Sequence, residues 1–206
     1  MRDYFQRLAP QWDSLHPPEA QAEAIALGLG YLQGGWQGKT LVDIGCGTGV
    51  LLPQLLKGLG AGRLWAIDFA EQMIAVAQSK CVDARLRFVC ADALSWQPEG
   101  RIDGVLCYNG FPHFPREKAL ETFASWLEPG GFFLCWHGAS RPHINNIHRQ
   151  ADPTVSLHTV AKAHHICTLA QHFGFCTLAS IDNTQHWLVL LQKENTAQTP
   201  PQHLSP

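Results

Sequence analysis

Thr40-Leu41-Val42-Asp43-Ile44-Gly45-Cys46-Gly47-Thr48-Gly49 joins a short apolar run to alternating glycines, and Leu51, Leu52, Leu55, Leu56 and Leu59 follow at helical spacing. The apolar run is strand-sized, the glycines let the chain turn sharply, and the leucines give one buried helix face. This is a strand, a turn and a helix. The unit recurs outward along the chain: strand Arg63-Leu-Trp-Ala-Ile67, a helix from Glu71 to about Lys80, and strand Leu86-Arg-Phe-Val-Cys90. Strand Gly104-Val-Leu-Cys107 precedes a helix near Arg116 to Leu127, and the turn Glu128-Pro-Gly-Gly131 leads into strand Phe132-Phe-Leu-Cys-Trp136. Alternating strands and helices predict a parallel sheet covered on both faces.

The rhythm breaks near the end. A helix around Thr159 to Phe173 is followed by Thr177-Leu-Ala-Ser-Ile181 and Trp187-Leu-Val-Leu-Leu191, with only a short polar link between the two strands. So short a link permits a hairpin and excludes a parallel crossover. The expectation is one doubly wound, Rossmann-like α/β domain with seven strands in the order 3-2-1-4-5-7-6, mostly parallel with one antiparallel strand. Residues 1–37 read as N-terminal cap helices, with one starting at Pro17-Pro18 and running toward Gly34-Gly35. Residues 38–193 form the domain, 138–158 a polar insertion after the fifth strand, and 194–206 an aperiodic tail expected to be disordered.

The chain has 206 residues, enough for one well-buried domain, and a net charge of -2. No long Lys/Arg run offers the footprint of a phosphate backbone, so nucleic acid is not expected as a partner. The longest apolar stretches are strand-sized, which predicts no membrane segment, and the start of the chain lacks the h-region of a secretory signal. A cytoplasmic location is expected. Seven cysteines, none in a CxxC pair, read as buried free thiols.

A glycine turn after a first strand serves any adenosine-containing cofactor; the flanking acids narrow it. Asp43 precedes Gly45, where a dinucleotide would place its pyrophosphate, and a carboxylate there repels phosphate. The glycines at 45, 47 and 49 also depart from the dinucleotide fingerprint, whose third glycine would fall at Val50. S-adenosylmethionine (SAM) has no phosphate and carries a sulfonium and an ammonium, which an acid favours. Asp68 ends the second strand, where it can accept ribose hydroxyls, and Asp92 ends the third, where it can accept the adenine amine. Taken singly, each acid is equally a helix N-cap or turn acid.

Val42-Asp-Ile-Gly-Cys-Gly-Thr-Gly49, Ala66-Ile-Asp68, Cys90-Ala-Asp-Ala93 and Leu127-Glu-Pro-Gly-Gly131 closely resemble the ordered motifs of class I SAM-dependent methyltransferases of the small-molecule type. The resemblance covers roughly residues 38–137. It implies that Asp43, Gly45, Cys46, Gly47 and Gly49 cradle the methionine part of SAM and that Asp68 holds the ribose. It further implies that Phe69 and Met73 flank adenosine, that Asp92 and Ala93 meet adenine, and that Asn109 lies near the methionine part. The opening Tyr4-Phe-Gln-Arg-Leu-Ala-Pro-Gln-Trp12-Asp13 resembles the segment that closes over the cofactor in such enzymes, which puts Tyr4 and Trp12 on the substrate side; both are equally readable as aromatic packing.

The chain carries 11 histidines. His113 follows the fourth strand and His137 ends the fifth, so both belong on the cofactor side, as proton acceptors from a small-molecule acceptor or as packed strand-end residues. The insertion, with Arg141, His143 and His148, is expected to write acceptor identity. His113, His137, His143 and His148 are candidate transition-metal ligands, although no HxxxH pair supports them. His158, His165 and His172 recur every seven residues. On one helix they would stand about 10.5 Å apart, too far to share an ion. Two other functions remain open: a nicotinamide-dependent oxidoreductase on the same fold, and a non-catalytic SAM- or metal-binding sensor.

Overall fold

The computed structural model describes residues 1–195; the expected tail lies, from residue 196 onward, outside the described residues. Its sheet has seven strands in the order β3-β2-β1-β4-β5-β7-β6. They are β1 (Thr40–Ile44), β2 (Arg63–Asp68), β3 (Leu86–Cys90), β4 (Ile102–Tyr108), β5 (Leu127–His137), β6 (Phe175–Asp182) and β7 (Trp187–Lys193). β1 pairs in parallel with β2 and β4, and β4 with β5. β7 runs antiparallel to both β5 and β6, as the short hairpin link demands.

Side chains alternate across the sheet. Val42, Ile44, Val105, Cys107 and Phe133 feed one core, and Leu41, Leu106, Leu134 and Trp136 the other. α4 (Leu52–Leu59) buries Leu52, Leu55, Leu56 and Leu59 on the second side, the stripe its spacing predicts. α3 (Pro18–Gly30), with proline in its first turn, lies over β5 on that side. It stops short of Gly34-Gly35. A Cβ on Gly28 would collide with the Trp136 indole, whose Nε1–H donates to the Ala24 carbonyl at 3.0 Å. The first side is covered by α6 (Arg116–Trp126) and α9 (Ala163–Gln171). α5 (Glu71–Lys80) follows β2, and α1 (Arg2–Leu8) and α2 (Trp12–Leu15) precede α3.

Two expectations about the second half need correction. Residues 138–158 are largely helical, with α7 (Arg141–Gln150) and α8 (Pro153–Ser156), where a polar insertion loop was expected. Pro142 and Pro153 each sit at a helix start, and the Asp152 carboxylate accepts the Thr154 N–H at 3.0 Å as an N-cap. α9 begins at Ala163 rather than Thr159, because the preceding residues are held outside a helix: Asn145 donates to the Val160 carbonyl at 3.1 Å and accepts its N–H at 2.7 Å. His158 therefore shares no helix with His165.

Candidate cofactor and acceptor site

The turn after β1 needs its glycines. Gly45, Gly47 and Gly49 have φ of +66°, +53° and +86°, a region that L side chains avoid, and a Cβ on Gly47 would point into open space. The Cys46 N–H donates to the Ile67 carbonyl at 3.0 Å and so ties the turn to β2. Asp68 adds a second tie: one carboxylate oxygen accepts the Gly47 N–H at 3.0 Å and the other the Ala70 N–H at 2.8 Å. Burial, against these bonds, raises its pKa above the ordinary carboxylate value.

Asp43 is different. It is 1% exposed, and its Oδ2 has no hydrogen-bond partner. Burial, and then the nearby charge of Asp68, push its carboxyl to about 8. The Cys46 thiol is raised by the same causes in the same order, with Asp43 adding to Asp68. An acid held without a partner beside a second acid is costly, and what it lacks is a cation or a hydrogen-bond donor. SAM fits that test: it carries cationic groups, and the open side of the glycine turn admits it without meeting a Cβ.

The other expected cofactor residues lie just after β2, β3 and β4 and on α5. Met73 is buried with Ala9 and Ala70, and Phe69 is half-buried beneath Phe5. Asp92 is exposed, and its Oδ1 accepts the Leu94 N–H at 3.0 Å, a turn acid in this structure, while Ala93 is buried. Asn109 has φ of +57°, and its Oδ1 accepts the Gly138 N–H at 2.9 Å, joining the ends of β4 and β5.

The N-terminal segment lies across the site. Phe5 makes edge contacts with Phe69 and His113, at 5.8 and 5.4 Å between ring centroids, and packs on Trp12. Tyr4 meets the Phe5 edge at 5.2 Å, so Tyr4 and Trp12 brace Phe5 from two sides. Asp13 fastens the segment down: one oxygen accepts the Thr48 hydroxyl at 2.6 Å and the other the Lys80 ammonium at 2.7 Å. Thr48, Asp13 and Phe5 were not singled out from the sequence, although each lies inside a stretch that was. Their roles rest on contacts across more than thirty positions of chain, which no local pattern reveals.

Four histidines gather under this cap. His113 lies in a 3₁₀ turn after β4, with its Nδ1 2.8 Å from the Nδ1 of His158. Its ring centroid is 5.1 Å from those of both His148 and His158. The Nδ1–H of His148 donates to the backbone carbonyl of His158. His137, 2% exposed, packs on the Trp187 edge, and neither of its ring nitrogens has a partner. Burial, and then neighbouring imidazoles, hold His113 and His137 neutral, each at about 3. His143, expected in this group, is exposed on α7 and stands outside it; His158 takes its place. Arg141 is expected on the substrate side. Its Nε donates to both oxygens of Asp182, at 3.1 and 2.9 Å, and so fastens α7 to β6.

A separate surface hollow, lined by Gly38, Thr40, Arg63 and Trp65, opens at the far ends of β1 and β2 and belongs to none of this.

The strand order, the reversed seventh strand and the acid-flanked glycine turn resemble those of class I SAM-dependent methyltransferases, as the sequence motifs do. Residues 41–131 match the family model described as a methyltransferase domain. A ubiquinone biosynthesis O-methyltransferase of Cupriavidus pinatubonensis is 30% identical over 140 residues, which are 63% of this chain and 54% of that protein. A demethylmenaquinone methyltransferase of Thermus thermophilus is 38% identical over 98 residues, 45% of this chain and 44% of that one. The chain thus spans about half the length of the curated relatives it matches. Among solved structures, the putative methyltransferase of Haloferax volcanii, in complex with the Trm112 methyltransferase activator, superposes with a TM-score of 0.73 at 16% identity over 93% of this chain and 98% of that one. Magnesium protoporphyrin IX methyltransferase of Synechocystis, with bound S-adenosylhomocysteine, gives 0.67 at 17% over 94% and 97%. The matched segment is similar to a methyltransferase domain, and the fold of the whole is that of the solved methyltransferases.

Proposed function

We propose that this protein transfers a methyl group from SAM to a compact small-molecule acceptor. The observation that carries the reading is Asp43, a buried carboxyl without a partner beside a positive-φ glycine turn. SAM supplies a methyl group already activated on a sulfonium, so the chain's own work is orientation and exclusion of water. Asp43 and the turn from Gly45 to Gly49 hold the methionine end. Asp68, pinned at the end of β2, holds the ribose. Phe69, Met73, Asp92 and Ala93 surround the adenosine, and Asn109 fixes the end of β4 beside the methionine part. Phe5, with Tyr4 and Trp12 behind it, shuts out water when Asp13 is latched to Thr48.

The acceptor lies between this cap and the histidines. His113 and His137 line its side as neutral imidazoles, able to orient a hydroxyl, amine or thiol by hydrogen bonding. A nitrogen that protonates only near pH 3 is a weak proton acceptor, so orientation suits them better than base catalysis. Relatives named for ubiquinone biosynthesis and for demethylmenaquinone make quinone-related aromatics the first acceptors to try.

A thermal-shift titration tests the cofactor. S-adenosylhomocysteine at a hundred times its dissociation constant should stabilise the fold by about 2.7 kcal/mol, a rise of roughly 5–10 °C for a chain of this size. NAD should give none. A shift with NAD and none with SAM or its product overturns the reading in favour of an oxidoreductase.

A further inference from the structure

The imidazoles beneath the cap are hydrogen-bond donors gathered without an acid. His113 comes from the turn after β4, His148 from the last turn of α7 and His158 from the segment before α9. The His113 ring centroid stands 5.1 Å from each of the other two, and the edge of Phe5 closes over it. His137, at the end of β5, stands apart from these rings, although a charge on it acts on His113. Both of its ring nitrogens are buried without a partner. A buried imidazole is ordinarily satisfied by a carbonyl or a carboxylate, so an orphaned one points to a ligand group that belongs there.

The surrounding charges narrow what that group can be. Burial, and then His148, His158 and His137, hold His113 at about 3, while burial, and then His148 and the chain's N-terminus, lower His158. The same N-terminal ammonium acts on Asp152, but that carboxylate is already engaged by the Thr154 N–H and by Arg7 at 3.5 Å. The groups that act on the rings are thus histidines and an ammonium, with no carboxylate among them. Such a field repels a cationic acceptor and favours an anionic one. Among the described residues, no group of three metal-donor side chains is placed to hold an ion, which leaves these imidazoles to recognise the acceptor itself.

On the methyl-transfer reading, which this site presupposes, we propose that His113 and His158 bind a carboxylate group of the acceptor and take up one proton as it enters. One proton lies between their Nδ1 atoms over 2.8 Å, so one ring's Nε2 carries a hydrogen and the other's a lone pair. A proton added at that lone pair makes an imidazole–imidazolium pair, with both Nε2–H groups free to donate and the bond between the rings intact. A second proton would have to enter the Nδ1 contact and would break it. The pair therefore gains a single positive charge, which matches a carboxylate rather than a dianionic phosphate. His148 gives its Nδ1–H to the His158 carbonyl and so fixes the backbone that carries this ring; it is a positioning residue. Phe5, over His113, puts the carboxylate under the same cap that covers the cofactor.

The probe is benzoate, titrated by calorimetry into protein saturated with S-adenosylhomocysteine, in Bis-Tris and in Tris, two buffers with different heats of ionisation. If S-adenosylhomocysteine itself does not bind, the methyl-transfer reading fails; if it binds and benzoate does not, the carboxylate subsite alone fails. Close to one proton should be taken up per benzoate bound, and the affinity should fall about 10-fold from pH 6 to pH 7. Benzamide, the neutral isostere, and benzylamine, a cation, should each bind at least ~10-fold more weakly than benzoate at pH 6. His113→Gln and His158→Gln together should abolish the proton uptake. If that double variant no longer binds S-adenosylhomocysteine, His158→Gln alone serves, with benzoate weakened by roughly 10-fold. The exposed His143→Gln should change neither affinity nor uptake. Benzamide or benzylamine binding as tightly as benzoate, or benzoate binding without proton uptake, overturns the subsite. So does a His143→Gln variant that weakens benzoate as much as the cluster variants do, since surface histidines would then be the binders.

Discussion

Replacing Asp43 with asparagine separates stability from cofactor binding, and the two should move in opposite directions. In the unfolded chain this carboxyl ionises near its ordinary 3.8, whereas in the folded protein burial and Asp68 push it to about 8. Between those values the folded state holds a proton that the unfolded state has lost, so stability falls as pH rises from about 4 to about 8. At about 1.36 kcal/mol per pH unit, the cost at pH 8 is on the order of 5 kcal/mol. An asparagine side chain carries no charge and escapes that cost, but it buries an amide donor in a place that offers no acceptor, a penalty of about 1–3 kcal/mol. The net effect on the ligand-free protein at pH 8 is a gain of roughly 2 kcal/mol or more, or a Tm higher by at least about 4 °C. At pH 5 the gain should vanish or reverse. For SAM the sign is opposite: loss of a charge-assisted partner worth about 1.5–3 kcal/mol should weaken binding by roughly 10–150-fold. Differential scanning fluorimetry of the ligand-free protein across pH 5–8, with calorimetry for SAM, checks both. A ligand-free Asp43→Asn protein less stable than the parent at pH 8, or an unaltered SAM dissociation constant, refutes the assignment of Asp43 as an unpaired acid awaiting a cation.

The fold was legible because its signals are local. The leucine stripe of α4, the glycines at 45, 47 and 49, and the short polar link before β7 each fix a structure within a short stretch of chain; the strand order follows from the family resemblance. The cofactor turn was legible for the same reason, since its acids fall at strand ends. The acceptor side was not. His158 has the spacing of a helical repeat with His165 and His172, yet Asn145, from a different element, pairs with Val160 and keeps residue 158 out of α9. Arg141 has the look of an anion-binding residue in a polar insertion, yet its partner Asp182 lies 41 positions away. Asp13 and Thr48 meet across 35 positions. Such pairings depend on how the insertion and the N-terminal segment dock on a finished sheet, and single-sequence periodicity carries no record of them.

The latch and the insertion yield two further tests. Thr48→Val keeps the shape of the turn while removing the 2.6 Å bond to Asp13, so the cap should open more often. S-adenosylhomocysteine should then dissociate several-fold faster in stopped-flow, with a stability loss within about 1.5 kcal/mol, and an unchanged off-rate would show that the segment does not gate the site. Arg141→Ala removes both bonds to Asp182, whose Oδ2 also accepts the Ala163 N–H at 3.2 Å and so helps start α9. Side-chain exposures of 27% and 19% leave this pair partly screened by solvent, which limits its worth to about 1 kcal/mol, a Tm lower by roughly 2–4 °C. Cofactor affinity should hold, and the KM for an acceptor should change little. The opposite split, an unchanged Tm with a raised acceptor KM, would mean that Arg141 leaves Asp182 to meet the acceptor in the working enzyme, and that the α7 to β6 clasp is only its resting position.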